Sequence, residues 1–119
     1  MNVRGIMNLL SAQLLCGEDK LDMEVQTACG CDLMSDVLAN VEAKTVLLTG
    51  LANAHVIRTA EMLDLTLVIF VRGKMPSEDV LKMAREKDIA LLRCEYTLFN
   101  ACGILYQHGI RGECRRDVS

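Results

Sequence analysis

Two cysteines separated by a single glycine, Cys29 and Cys31, have the spacing that most directly suggests chemistry. Closely spaced thiolates bind soft metals, and a thiolate pair can also cycle through a disulfide. A structural zinc site takes four ligands at recognisable spacings, and a thioredoxin-type redox pair has two residues between its cysteines. Neither of these two patterns occurs in this sequence. Metal or iron–sulfur handling by Cys29 and Cys31 is therefore the alternative hypothesis. We expect no metal site and no cofactor.

Polar side chains follow these cysteines at Asp32, Ser35 and Asp36. If a helix occupies residues 33–40, Asp32 is placed to cap it, and Asp36 lies in its first turn, where the helix dipole favours a negative charge. The same side chains are also placed to face a ligand or a partner. Asp32, Ser35 and Asp36 are therefore candidate binding residues.

The segment from Thr49 to Arg58 has the composition of an anion-binding loop. Thr49 offers a hydroxyl, Gly50 allows a ligand to approach the backbone, and Asn53 precedes a helix whose first N–H groups favour an anion. His55 and Arg58 fall in the first two turns of that helix. The segment lacks the P-loop and dinucleotide patterns, so a capped helix with solvated polar side chains is the other interpretation.

Two further observations limit the chemistry. The loop "VRGKMPSED", which begins at Val71, is interpreted as a solvated turn before a helix capped by Ser77. Neither His55 nor His108 has a neighbouring serine, cysteine or acid in a recognised nucleophile pattern. We therefore expect the protein not to be an enzyme.

The elements that must position these residues alternate between strands and helices. "TVLLTG" (45–50) and "LTLVIFV" (65–71) are apolar throughout, as strands covered on both faces are. A helix is predicted at 2–11, and a last one starts near Tyr96, with five side chains on its buried face: Leu98, Phe99, Cys102, Leu105 and Tyr106. A weak repeat of 24 residues relates Val56, Ala60 and Leu65 to Val80, Ala84 and Ile89.

Repeated strand–helix units imply parallel strands joined by right-handed crossovers, so we predict an α/β fold with a small, mostly parallel sheet covered by helices. Residues 1–109 are expected to form one domain, and residues 110–119 a flexible tail.

Composition narrows the function classes. The net charge of −3 is spread along the chain and aromatic residues make up 3% of it, which disfavours nucleic-acid binding. No segment has the ~20 apolar residues of a membrane span and no convincing signal peptide is present, so we expect a cytoplasmic protein that does not bind membranes. The six cysteines, several in apolar runs, are then expected to be reduced.

Three blocks of the sequence resemble the DRTGG domain family, most closely its small stand-alone members: "GCDLMSDVLA", "TVLLTGLANAHVIRTAEMLDL" and "VRGKMPSEDVLKMAREKDIALL". The resemblance spans roughly residues 1–109, although the string that gives the family its name does not occur. It implies a three-layer fold like the N-terminal domain of HPr kinase/phosphorylase. It also implies a non-catalytic regulatory role and homodimer formation.

The leading hypothesis is therefore a regulatory or interaction module that senses a small anionic ligand, a nucleotide or a phosphorylated compound, or contacts a protein partner. Its expected ligand-binding residues are Thr49, Gly50, Asn53, His55, Arg58, Asp32, Ser35 and Asp36.

Overall fold

The computed structural model describes residues 1–40 and 45–112. Within these residues, six strands form one sheet in the order β1-β5-β4-β3-β2-β6. Strand β1 pairs antiparallel with β5, and all the other neighbours are parallel. The strands are β1 (Gln13–Cys16), β2 (Thr27–Gly30), β3 (Thr45–Thr49), β4 (Leu67–Phe70), β5 (Ala90–Arg93) and β6 (Arg111–Gly112). The predicted α/β class with a mostly parallel sheet is confirmed.

Helices cover both faces of the sheet, which gives the predicted three layers. Helices α2, α3 and α4 pack on one face, and α1 and α5 pack on the other. In the described part of the chain the helices are α1 (Val3–Leu10), α2 (Met34–Asn40), α3 (Ala54–Met62), α4 (Glu78–Glu86) and α5 (Leu98–Gln107), with a 3₁₀ turn at Glu18–Lys20. None of them is long and apolar enough to cross a membrane.

The two central strands, β3 and β4, correspond to the two apolar runs of the sequence. Every residue of β3 and β4 is buried, because helices cover both faces of the sheet at this point. Side chains of β3 alternate, so that Leu47 packs with the α2, α3 and α4 side and Val46 and Leu48 pack with the α1 and α5 side. The core therefore consists of two layers separated by the sheet.

The 24-residue repeat corresponds to two equivalent β–α units. Asn53 and Ser77 are 24 positions apart, and each side chain accepts a hydrogen bond from the backbone N–H three residues later. Asp64 and Asp88 follow the two helices in the left-handed conformation, with φ of 57° and 59°. Aspartate tolerates this conformation better than most residues, so both helices end by the same means. The apolar positions of the repeat are buried in both units.

The predicted buried face of the last helix is wrong in two positions. Ala101 and Leu105 of α5 are buried, whereas Phe99 is 85% exposed and Tyr106 is 60% exposed. At 100° per residue, positions 99 and 106 lie about 140° and 120° from the middle of the face that Ala101 and Leu105 define, which is a third of a turn or more. Only a narrow stripe of α5 is covered, because in the described part of the chain this helix packs mainly on the sheet and on α1.

The sheet continues past the predicted boundary at residue 109. Ile110 is 4% exposed, and β6 pairs with β2 through Thr27 and Ala28. Residues 113–119, which include Cys114 and most of the expected tail, lie outside the described residues.

Candidate functional site

The carboxyl ends of β2, β3, β4 and β5 meet at one edge of the sheet, because these strands are parallel. The residues that follow them line a shallow groove of about 230 Å³: Asp32 after β2, Gly50 after β3, Arg72 after β4, and Thr97, Leu98 and Phe99 where α5 begins. Ligands of open α/β sheets bind at this edge. The groove is therefore the candidate site.

Asp32 links two of the loops that were predicted separately. Its Oδ1 atom accepts hydrogen bonds from Oγ1 of Thr49, over 2.9 Å, and from the backbone N of Gly50, over 2.7 Å. Thr49 Oγ1 also accepts from the N–H of Leu51. The Thr49 hydroxyl and the Gly50 N–H, both expected to face a ligand, are thus already bonded to protein groups. Helix α2 begins at Met34, so Asp32 lies one residue before its cap position.

Arg72 extends into the same groove from a turn with unusual backbone geometry. Arg72 and Gly73 are both left-handed, with φ of 55° and 66°, and Lys74 N donates to Val71 O, as in a type I′ turn. The backbone N–H groups of Arg72 and Gly73 donate to the carbonyls of Tyr96 and Cys94. These bonds fix the turn against the segment before α5.

The Arg72 guanidinium faces Gly50. Its Nη2 atom lies 3.5 Å from the point that a Cβ on Gly50 would occupy, and Asp32 Oδ2 lies 3.5 Å from that same point. No hydrogen bond or ion pair joins the Arg72 side chain to any other described residue within the usual limits. Arg72 is absent from the predicted ligand-binding residues, because its loop is interpreted from the sequence as a solvated turn. The signal that could have identified it is its position directly after a buried parallel strand.

The remaining predicted residues lie outside the groove lining. Asn53 caps α3, where its Oδ1 accepts from Val56 N over 3.2 Å. His55 and Arg58 are exposed on α3, and Ser35 and Asp36 are exposed in the first turn of α2. The structure therefore brings together Asp32, Thr49 and Gly50 from the predicted set, and adds Arg72 and the start of α5.

Gly30 explains how α5 reaches this edge. A Cβ at Gly30 would stand 2.5 Å from Cys102 Sγ and 3.2 Å from Leu98 Cδ1. Real Cβ atoms do not approach so closely, so the glycine between Cys29 and Cys31 allows α5 to pack against β2. This packing also places the N-terminal turn of α5, capped by Thr97, beside the groove.

The cysteines of the described residues are thiols: Cys16, Cys29, Cys31, Cys94 and Cys102. Burial raises the pKa of Cys16, Cys94 and Cys102, which disfavours the thiolate form that binds metals. Residues 1–40 and 45–112 include no group of three His, Cys, Asp or Glu side chains placed to hold a metal ion. The alternative hypothesis of a thiolate site thus finds no further ligand for Cys29 and Cys31 within these ranges.

A larger cavity, of about 820 Å³, lies at the opposite edge of the sheet, between Met23, Gln26, Thr45, Asp64 and Thr66. This cavity lies at the amino ends of β3 and β4, whereas ligands of open α/β sheets bind beyond the carboxyl ends of the strands. The carboxyl edge remains the candidate site.

Fold and groove together define a three-layer α/β domain with a small mixed-charge groove at the carboxyl edge of its sheet. The chain belongs to the DRTGG domain family, whose sequence model matches residues 5–107. No curated protein matches the chain.

The chain is also similar to a solved structure, the CBS and DRTGG domains of the regulatory region of Clostridium perfringens pyrophosphatase, complexed with the activator diadenosine tetraphosphate. The TM-score is 0.75 at 17% sequence identity, and the match covers 89% of this chain and 46% of the other. This chain therefore spans less than half of that structure, and the likeness concerns the fold alone.

Proposed function

We propose that this domain is a non-catalytic regulatory module that binds a small anionic ligand, a nucleotide or a phosphorylated compound, at the carboxyl-edge groove. The observation that carries the proposal is the Arg72 guanidinium, which faces the groove without a protein partner among the described residues. A guanidinium offers a planar fork of donors that matches phosphate and carboxylate oxygens. The point that a Cβ on Gly50 would occupy is in van der Waals contact with Arg72 and Asp32, so the glycine leaves room for about one methyl group between them.

The backbone supports this assignment to Arg72. A non-glycine residue in the left-handed region costs on the order of 1–2 kcal/mol, and type I′ turns favour Gly, Asn or Asp at this position. An arginine held there despite this cost is consistent with a role for its side chain. The predicted loop from Thr49 to Arg58 contributes Gly50 at the groove floor, and we keep His55 as a residue that contacts longer ligands.

A non-catalytic role is supported by the groove lining. Its described side chains include neither a histidine nor a cysteine, and Asp32 is engaged with Thr49 and Gly50. An exposed carboxylate without a nucleophile or a base beside it does not make an acid–base pair. The solved relative adds support for regulation, since it is described as a regulatory region complexed with its activator, a nucleotide.

Thermal unfolding in the presence of ATP, pyrophosphate or ribose 5-phosphate tests the proposal. A ligand at about 100 times its dissociation constant stabilises the folded state by about 2.7 kcal/mol, which raises the unfolding temperature by several degrees. We expect Arg72→Gln to abolish this shift for each anion, and His55→Ala to reduce it for ATP, the longest of the three. Arg85→Gln, an exposed arginine at the far end of α4, is the matched control. Equal stabilisation of wild type and Arg72→Gln, or no stabilisation by any of the three anions, would contradict the proposal.

We also propose that the domain forms a homodimer, which its resemblance to the DRTGG family implies. Light scattering at micromolar concentration is expected to give about twice the 13.2 kDa mass of one chain. Particles of one chain mass at every concentration tested would exclude it.

A further inference from the structure

Phe99 is the most exposed large apolar side chain in the described residues. It lies in the first turn of α5, lines the carboxyl-edge groove and is 85% exposed, whereas Phe70, the other phenylalanine of the chain, is fully buried. A phenyl ring left in water beside a groove that also holds Asp32 and Arg72 offers a flat apolar surface to whatever enters that groove. Its ring therefore indicates a ligand with a flat face of its own.

Asp32 restricts the ligand in a second way. Its Oδ1 atom already accepts a hydrogen bond from the Gly50 N–H. Its Oδ2 atom and Arg72 Nη2 each lie 3.5 Å from the point that a Cβ on Gly50 would occupy. A compact anion placed on Arg72 therefore meets a carboxylate within a few ångströms, which weakens its binding. A ligand that carries hydroxyl donors next to its anionic group avoids this repulsion, because Asp32 accepts hydrogen bonds from hydroxyls.

We propose that the groove selects nucleotides from among anionic ligands: Arg72 binds a phosphate, Asp32 accepts from a ribose hydroxyl, and the Phe99 ring stacks on the base. The proposal rests on the proposed function and names the ligand class of the same site. These three side chains come from the ends of β4 and β2 and the start of α5, and each matches a different part of a nucleotide. A carboxylate on ribose hydroxyls and an aromatic ring on a base are recurrent modes of recognition.

The other ligand classes leave part of this groove unused. Pyrophosphate would face Asp32 without donors to offer it and would leave Phe99 in water. Ribose 5-phosphate would satisfy Arg72 and Asp32 but not the ring. A nucleoside without phosphate would leave Arg72 unpaired.

Titration calorimetry with ATP, adenosine, ribose 5-phosphate and pyrophosphate tests the proposal on the whole chain. Base–aromatic stacking is worth about 1–3 kcal/mol, so Phe99→Ala is expected to weaken ATP binding about tenfold. Affinity for pyrophosphate and ribose 5-phosphate is expected to stay unchanged, and Phe99→Tyr is expected to retain ATP binding. Tyr106→Ala is the matched control, because it removes an exposed aromatic ring from the opposite end of the same helix.

The outcomes separate this inference from the proposed function. If no anion binds the wild type, both fail. If pyrophosphate and ribose 5-phosphate bind as tightly as ATP and Phe99→Ala changes none of them, nucleotide selection is overturned while anion binding stands. If Phe99→Ala leaves ATP affinity intact but halves the mass measured by light scattering, Phe99 belongs to a protein interface and the stacking role is excluded.

Discussion

Oγ1 of Thr49 lies 2.9 Å from Oδ1 of Asp32, and this hydrogen bond joins the end of β3 to the segment that follows β2. Thr49 is fully buried, so its hydroxyl has no water to replace the carboxylate. We expect Thr49→Val, which keeps the shape of the side chain, to lower the free energy of unfolding by about 1–3 kcal/mol. Urea denaturation measures this loss.

A double-mutant cycle shows whether that loss comes from the link to Asp32. In an Asp32→Ala background, Thr49→Val is expected to cost about 1 kcal/mol less than in the wild type, because the bond is already absent. Additive costs would mean that the two side chains do not stabilise each other.

The positions of the candidate loops along the chain were predictable from the sequence. The contacts between those loops were not. The apolar run that ends at Thr49 and Gly50 showed from the sequence that this candidate loop directly follows a buried strand. Which acceptor takes the Gly50 N–H depends on the register of β2 against β3, and no local pattern contains that register. The place of Arg72 directly after a buried strand was visible in the sequence, but its closeness to Gly50 depends on β4 lying beside β3.

Gly30 is expected to be intolerant of a side chain for a reason of packing. A Cβ there would stand 2.5 Å from Cys102 Sγ, so Gly30→Ala should lower the free energy of unfolding by about 1–3 kcal/mol. The additional change Cys102→Ala removes that sulfur, and the double variant should lose less than the two single losses combined.

Gly103 is the matched control for this substitution. Gly103 directly follows Cys102 in α5, and a Cβ at Gly103 would meet no atom within 4 Å. Gly103→Ala is therefore expected to raise the free energy of unfolding by about 0.5–1 kcal/mol, as Ala does in a helix. Equal effects at Gly30 and Gly103 would contradict the packing argument.

The buried thiols are expected to react slowly. Burial raises the pKa of Cys16 and of Cys94, and thiolate is the form that attacks alkylating reagents. With iodoacetamide at about pH 8, Cys31, which is partly exposed, should be modified well before Cys16 and Cys94. Peptide mass spectrometry follows each site, and a Cys114→Ser background removes a thiol outside the described residues.

Unfolding in guanidinium chloride supplies the control for this experiment, since all the cysteines of the unfolded chain should be alkylated at similar rates. Modification of Cys16 in the folded protein as fast as in the unfolded chain would show that burial does not protect it.

Lys20 and Asp88 connect the 3₁₀ turn to the end of α4. Burial lowers the pKa of Lys20, but its 3.0 Å hydrogen bond to Asp88, the Asp88 charge and the neighbouring Asp19 carboxylate together outweigh this, so the pKa is raised. A raised lysine pKa contributes stability below the unfolded value of about 10.4 and loses it as pH rises through the folded value. Asp88 is largely exposed, so solvent screening limits the contribution to about 0.5 kcal/mol.

Asp88→Asn tests this pair without disturbing the backbone, because Asn also tolerates the left-handed conformation. We expect a small, constant loss of stability relative to the wild type from about pH 6 to 9, which shrinks as the pH rises above about 10.5 and through the raised pKa of Lys20. A difference that persists at high pH would assign the effect to the backbone.

The fold was largely predictable because its elements carry local signals, such as the apolar runs of β3 and β4 and the caps at Asn53 and Ser77. The position of Phe99 was not. Its periodicity in the sequence suits a buried helix face, and its exposure follows from α5 packing, among the described residues, mainly on the sheet and α1. The exposure of a helical residue depends on how many neighbours the helix has, which the periodicity does not record.

Replacing Arg72 with glycine is expected to separate stability from binding. Arg72 has a φ of 55°, which glycine adopts without cost, so Arg72→Gly should raise the free energy of unfolding by about 1 kcal/mol. It should also abolish the ATP-induced thermal shift. Ser11→Gly is the matched control, since Ser11 has a φ of 49° at the end of α1 and should gain stability while ATP binding is kept. If Arg72→Gly gains stability and still binds ATP, the guanidinium is not the ligand's partner, and the strained turn has another cause.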